Sequence, residues 1–309
     1  MKKLIYLFLV LAVFSCKNSA NKADETAEIK STKTELNASP KEVQLNLDEY
    51  VSLMDSLSVS DISSIKVLKN YVINTLNVSD ELSDSAYYMF LEFFYTSANH
   101  LNDRLETKYA TVVRKIYMNK EDSETREFQK LLDECGLNLS TTRGYFYVDV
   151  QPDFFYETFK NNTSASISTF LQLRDRELKN TFAEDARLLI SFNDLGERIY
   201  DWDQYLKDYP DTRMKIEADY FLETYLETFL TGMENTKLFD SKSRILIPEV
   251  KQSYESYLKN HGDTKSARII QEYYEILKRN QFEYSDSIDY ILRKYELNLM
   301  HGIQPLARL

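Results

Sequence analysis

Hydrophobic and polar positions alternate with helical spacing along most of the chain. Leu47, Tyr50, Val51 and Met54 fall on one face of a first helix, and Ile62, Ile65, Leu68, Lys69 and Val72 nearly repeat that spacing behind an expected cap at Ser60. Past a second expected cap at Ser79, two apolar stripes run side by side. Leu82, Ala86, Met89, Phe90 and Phe93 make one, and Tyr87, Leu91, Phe94, Tyr95 and Ala98 make the other. A helix apolar round most of its circumference is a buried one, so this segment is expected at the centre of an N-terminal half. Residues 122–136 predict a further amphipathic helix with Phe128, Leu131, Leu132 and Cys135 inward.

The period then changes. Gly144-Tyr145-Phe146-Tyr147-Val148-Asp149-Val150 is β-branched and aromatic and is closed by Pro152. It predicts a short extended segment, or a linker crossing between an N-terminal helical half (46–143) and a C-terminal one (144–309).

The C-terminal half repeats itself. Tyr205-Leu206-Lys207 and Asp211-Thr212 recur 52 residues on as Tyr257-Leu258-Lys259 and Asp263-Thr264, with Pro210 replaced by Gly262 as the breaker between two helices. Ala218, Phe221, Leu222 and Tyr225 correspond to Ile270, Tyr273, Tyr274 and Leu277, each set on one helix face. Two helical hairpins sharing a core account for this, because a lone hairpin cannot bury its own face.

With its Tyr-Pro-Asp-Thr turn, the run 205–225 resembles the helix-turn-helix units of tetratricopeptide-type repeats in bacterial envelope lipoproteins. Residues 182–282 are also similar to helical regions of uncharacterised secreted bacterial proteins. The resemblance implies an α-solenoid-like, protein-binding architecture, although a tetratricopeptide repeat has a period of about 34 residues. The excess lies in loop 232–247, longer than the usual ~2–8 residues between helices. Its Met233, Leu238, Phe239, Ile245, Leu246 and Ile247 predict packing against the helices, as floor or lid of a groove. The expected fold class is all-α, built of helical hairpin repeats, with one short extended segment near 144–150.

The N-terminus carries an address. Lys2 and Lys3 precede an unbroken apolar run from Leu4 to Phe14, then Ser15 and Cys16. A bilayer crossing needs about 20 apolar residues, so residues 1–15 read as a signal peptide, with an uncleaved anchor helix as the competing reading. Val13-Phe14-Ser15-Cys16 resembles the lipobox of bacterial lipoproteins. That resemblance implies a lipid on Cys16 and a place in the bacterial cell envelope, anchored to a membrane outside the cytoplasm. Residues 17–45, poor in large apolar groups, are expected to form a disordered tether with a reach of roughly 30 Å. With Cys16 acylated, Cys135 is the one remaining thiol, too few for an internal disulfide or a thiolate metal site. At an expected helix end it reads as a small buried apolar residue.

Composition removes several functions. Without residues 1–15 the chain keeps 36 basic against 49 acidic side chains, with no basic patch. Nucleic acid, bound mainly through its phosphates, would be repelled. The six glycines never cluster, which excludes a phosphate-cradling loop and nucleotide binding of that kind. Of the three histidines, His100 reads as a core residue and His261 as a solvent-facing turn residue; none forms an i, i+4 pair, and no metal or cofactor is expected.

Carboxylates are where an enzyme would be sought. Asp201 and Asp203 flank Trp202, and Glu234 shares the long loop with Asp240; paired acids of this kind serve glycan hydrolysis. Residues two apart on a helix diverge by about 200°, so one acid of the first pair is expected in solvent, with Trp202 a core plug under Tyr205. Glu177, Glu184 and Asp185, near Arg174, Arg176 and Arg187, read as surface ion pairs. The sequence therefore points to a non-enzymatic protein- or peptide-binding scaffold in the envelope. Its groove is expected between the repeats, with exposed members of Tyr205, Tyr209, Tyr257, Tyr273 and Tyr284. A carboxylate-based glycan hydrolase, and a small-ligand carrier with a cavity near Phe90, Phe94 and Tyr147, are the alternatives.

Overall fold

The computed structural model describes residues 40–76, 80–142, 144–285 and 287–297. The signal segment, Cys16, most of the tether, the Ser79 cap and His301 lie outside them. The described residues all belong to one compact unit, mostly helical, with twelve helices and two small two-stranded sheets among them.

The first three helices are α1 (Pro40–Ser56), α2 (Ser63–Asn74) and α3 (Asp80–Leu105). Helix α1 starts inside the span that composition assigns to the tether, and a proline suits a first helical position because its missing N–H has no partner there anyway. The stripes meet as their spacing requires: Tyr50, Ile65, Leu68, Val72, Ala86, Tyr87, Phe90 and Phe94 are all buried. Ser60 is not the cap of α2: Ile62 holds that position without a side-chain bond, and one residue earlier Asp61 Oδ1 accepts from Ser63 N at 3.0 Å and Ser63 Oγ at 2.8 Å.

Helix α4 (Ala110–Tyr117) leads to α5 (Ser123–Glu134), which Asp122 and Thr125 close with reciprocal 2.9 Å bonds between side chain and backbone. Phe128, Leu132 and Cys135 point inward. Cys135 Sγ donates to Ile62 O at 3.1 Å, and burial pushes its thiol up to about 11. Strands β1 (Leu137–Thr142) and β2 (Tyr145–Val150) then pair antiparallel, Leu137 opposite Val150 and Thr142 opposite Tyr145. The extended segment read from 144–150 is thus half of a hairpin. Val148 N donates to Asn102 Oδ1 at 2.8 Å, which fixes that hairpin to α3.

Helices α6 (Phe154–Phe159) and α7 (Ala165–Lys179) follow. Rings from α6 fill the space around Phe90 and Phe94, with Phe94 and Phe155 centroids 4.9 Å apart. Beside them, near Tyr87 and Arg174, about 30 Å³ stays open, room for about one water.

A two-residue hairpin, β3 (Ala183–Glu184) with β4 (Arg187–Leu188), precedes α8 (Phe192–Asp208) and α9 (Lys215–Thr231). Helices α10 (Pro248–His261), α11 (Lys265–Arg279) and α12 (Ser287–Lys294) complete the described chain. The two Tyr-Leu-Lys segments make matching bonds. Tyr205 OH lies 2.9 Å from Thr212 Oγ1, and Tyr257 OH lies 3.1 Å from Thr264 Oγ1, so each copy ties the end of one helix to the start of the next. Ala218 and Ile270 are fully buried at equivalent positions. A Cβ at Gly196 would come 3.3 Å from the Tyr257 ring, so glycine there lets α8 and α10 approach closely.

Two surface readings are corrected. Glu177 is only 4% exposed; its Oε1 accepts from Trp202 Nε1 at 2.6 Å and its Oε2 from Arg174 Nη1 at 2.5 Å. The i, i+3 spacing that usually marks a surface pair here faces inward, because Trp202 presents an indole N–H that must find an acceptor when buried. Arg176 instead pairs with Asp201. His261 is not solvent-facing: its side chain is 12% exposed, stacked on Tyr200 at 3.9 Å and 2.9 Å from Glu197 Oε1.

Candidate functional site

Five tyrosines were candidates for a groove between the repeats, and the structure divides them. Tyr205 (2% exposed), Tyr257 (3%) and Tyr273 (0%) are core residues, and burial raises the phenol pKa of the first two. Tyr205 and Tyr209 turn toward α7, their hydroxyls 3.3 Å from Ser166 Oγ and 3.2 Å from Thr169 Oγ1. Their large rings satisfy helix packing while each hydroxyl finds a partner, the amphipathic use of tyrosine that a sequence cannot tell from an exposed binding surface. Tyr209 and Tyr284 alone among the five keep part of their surface.

Tyr273 and Tyr284 do come together, at a cavity of about 510 Å³ walled by loop 232–247. Its lining is apolar in depth, with Leu230, Leu238, Tyr273, Ile288 and Leu292, all buried. Phe239 and Tyr284 form one wall, ring edge to ring face at 5.4 Å. Thr231, Lys237, Asp240, Ser241 and Arg244, all exposed, make the mouth.

The loop earns its shape by local hydrogen bonding. Gly232 leaves α9 at φ +73, where a Cβ would lie 2.5 Å from Thr236 O. Asn235 N donates to Ala186 O at 2.9 Å and Asn235 Nδ2 to Asp185 O at 2.7 Å. Leu188 N in turn donates to Thr236 Oγ1 at 2.9 Å, so the loop's start is stitched to the β3–β4 turn. Further on, Leu246 N donates to Phe282 O at 2.8 Å and Tyr284 N to Arg244 O at 2.9 Å. The far side of the loop is therefore laid along residues 282–284 like a short strand.

Electrostatics at the mouth are uneven. Asp240 Oδ1 accepts from Lys242 N (3.1 Å), Ser243 N (2.8 Å) and Ser243 Oγ (2.9 Å), and the bond from Ser243 N, first among these, lowers its pKa. Arg244 lies over the Tyr284 ring at 5.1 Å, and neither it nor Lys237 is in an ion pair among the described residues. Sequence reading marked the loop by its length and apolar content. It missed Lys237 and Arg244, because single cations on a loop carry no periodic signal.

The carboxylate pairs separate. Burial raises the Asp201 pKa against the opposing charge of Arg176, with which it is paired. Asp203 is buried, not solvated, and its Oδ2 accepts from Ser266 N at 2.7 Å in the first turn of α11. Glu234 is exposed, and Asp240 is held in its ionised form, the opposite of what a general acid needs. Among the described residues, no three metal-ligating side chains converge and no helix is long and apolar enough to cross a membrane. No protein-family model, curated protein or solved structure matches this chain.

Proposed function

We propose that this chain is a membrane-anchored envelope lipoprotein whose helical ectodomain binds a protein or peptide segment without catalysing a reaction. The observation that carries the reading is the cavity at loop 232–247. Its volume of about 510 Å³ falls within the ~300–1,000 Å³ usual for binding pockets, with an apolar interior and a polar rim. The two hairpins α8–α9 and α10–α11, with their matching Tyr–Thr bonds, support an α-solenoid-like, tetratricopeptide-like arrangement. The extra residues of the period supply the cavity wall. The apolar run before Cys16 and the lipobox-like Val13-Phe14-Ser15-Cys16 support the anchor.

The test is photocrosslinking in living cells, with a crosslinking amino acid at position 241 on the rim and a Cys16→Ala form as the mislocalised control. A discrete partner band from the anchored form only is the expected result. An absence of any protein adduct from a correctly anchored, abundant protein overturns the reading. A small-ligand carrier is the second reading, favoured by the same cavity. A bound small molecule released on denaturing the natively purified protein would establish it.

A further inference from the structure

Resting on that binding reading, we propose that the cavity recognises the end of a polypeptide: an apolar C-terminal residue in its interior and the free α-carboxylate at Lys237 and Arg244. The chain as a whole is acidic, 38 basic against 49 acidic residues, yet the cavity lining holds two cations and one acid. That acid is occupied within its own turn, since Asp240 Oδ1 already accepts from Lys242 N, Ser243 N and Ser243 Oγ. Among the described residues, neither Lys237 nor Arg244 forms an ion pair with a carboxylate. An anion arriving at the mouth therefore meets unpaired positive charge beside an apolar hollow.

Arg244 is the better placed of the two. Its backbone stands at φ +59, a region that costs an L-residue strain and that glycine occupies freely. Arg244 N bonded to Asp240 O, and Arg244 O accepting from Tyr284 N, both at 2.9 Å, hold it there. The guanidinium lies 5.1 Å from the Tyr284 ring centroid, so its stem and head are oriented before a ligand arrives. A guanidinium presents a planar fork that matches a carboxylate, and Lys237 adds a point charge on the same rim. Glu283, on the segment paired with Ile245, is exposed and does not line the cavity. The apolar floor then selects against a bare acetate-like ion, and the cations select against a neutral chain end. Capture of a C-terminal carboxylate is a known mode of peptide recognition, elsewhere made by backbone N–H groups and here by side-chain cations.

The test uses fluorescence anisotropy with the full ectodomain. Its probes are N-terminally labelled octapeptides whose last two positions vary over Leu, Ile, Phe and Tyr, made both as free acids and as C-terminal amides. Free acids are expected to bind about tenfold more tightly than amides, the scale of one charge-assisted hydrogen bond. The Lys237→Gln, Arg244→Gln double variant should bring acid and amide to equal affinity, and Thr231→Trp, which projects a ring from the rim into the cavity, should weaken both forms. Equal binding of acid and amide by the unsubstituted protein overturns chain-end recognition while leaving peptide binding standing. If no peptide binds, both readings fall. Dodecanoate binding that depends on Lys237 and Arg244, without peptide binding, would assign the same chemistry to a free fatty acid and overturn the proposal.

Discussion

Glu177→Gln tests how the C-terminal half is held together. Glu177 accepts from the indole of Trp202 and from Arg174, whose guanidinium carbon lies 3.9 Å from the Phe221 ring centroid. A second buried cation, Arg198, sits nearby with its guanidinium 5.5 Å from the Tyr225 ring. The carboxylate is thus negative charge in a dry region that also holds two positive ones. Removing one member of a buried ion pair costs about 3–5 kcal/mol, because the survivor loses its counter-charge in a desolvated site. The glutamine keeps the volume and an acceptor for Trp202, so the loss should be about 1 kcal/mol, the difference between charged and neutral hydrogen bonding at Arg174. Glu177→Ala should approach the full figure. Trp202 is the only tryptophan, so its fluorescence during urea unfolding reports this site directly, with far-ultraviolet circular dichroism as the global check. The Arg174→Met, Glu177→Gln double variant removes the charge that Glu177 balances and should recover most of the loss. A single-variant cost below about 0.5 kcal/mol, or a double variant no better than the single, would refute a buried, coupled pair.

Three further outcomes follow from single positions. Gly136 stands at φ +71 with the Phe154 ring where a Cβ would be, whereas Gly144 stands at φ +84 in open space. Gly136→Ala should therefore cost more than about 2 kcal/mol and Gly144→Ala about 1 kcal/mol by urea titration, and equal costs would contradict the packing. Burial raises the Cys135 thiol to about 11, so a thiol reagent at pH 7 should label it only as the protein unfolds; rapid labelling of the native form would count against this. Burial also raises the Asp201 carboxyl above the usual range. A raised folded pKa gives stability that is full below the unfolded value and fades as pH rises through the folded one. Asp201→Asn should accordingly stabilise at pH 7 and make little difference below about pH 4, as thermal melts across that range would show.

Helical spacing located most of what packs by periodicity. Tyr50, Ile65, Leu68, Phe90, Phe94 and Phe128 are buried where their stripes put them, and Trp202 plugs the core against Tyr205 at 5.7 Å. What escaped is what two distant segments decide together. Leu137–Thr142 is mostly polar and reads as nothing in isolation; it becomes a strand because Tyr145–Val150 folds back on it and α3 receives Val148 N. Glu177 looks like a surface residue until Trp202 and Arg174 turn up beside it. His261 looks like a turn residue until Tyr200, 61 positions earlier, covers its ring. The tyrosines are hardest to read, since the same side chain serves a core, as at Tyr257, and a surface, as at Tyr145. The repeat fixed their equivalence and left their exposure open.

Loop 232–247 joins α9 to α10, a connection that far fewer residues could make. A floppy insertion would lose its conformational freedom on each binding event, at about 0.5–1.5 kcal/mol per ordered side chain. This one has already lost it on folding, through Asn235 on the β3–β4 turn, Thr236 on Leu188, and Leu246 on Phe282. Thr236 touches that wall without lining the cavity. Thr236→Val removes the acceptor for Leu188 N, which should lower stability by about 1 kcal/mol. If the cavity works because its wall is prebuilt, the same substitution should also weaken free-acid peptide binding several-fold, through a faster dissociation rate measured by stopped-flow anisotropy. Binding kinetics unchanged in Thr236→Val, with the stability loss present, would mean that the wall's rigidity has no part in recognition.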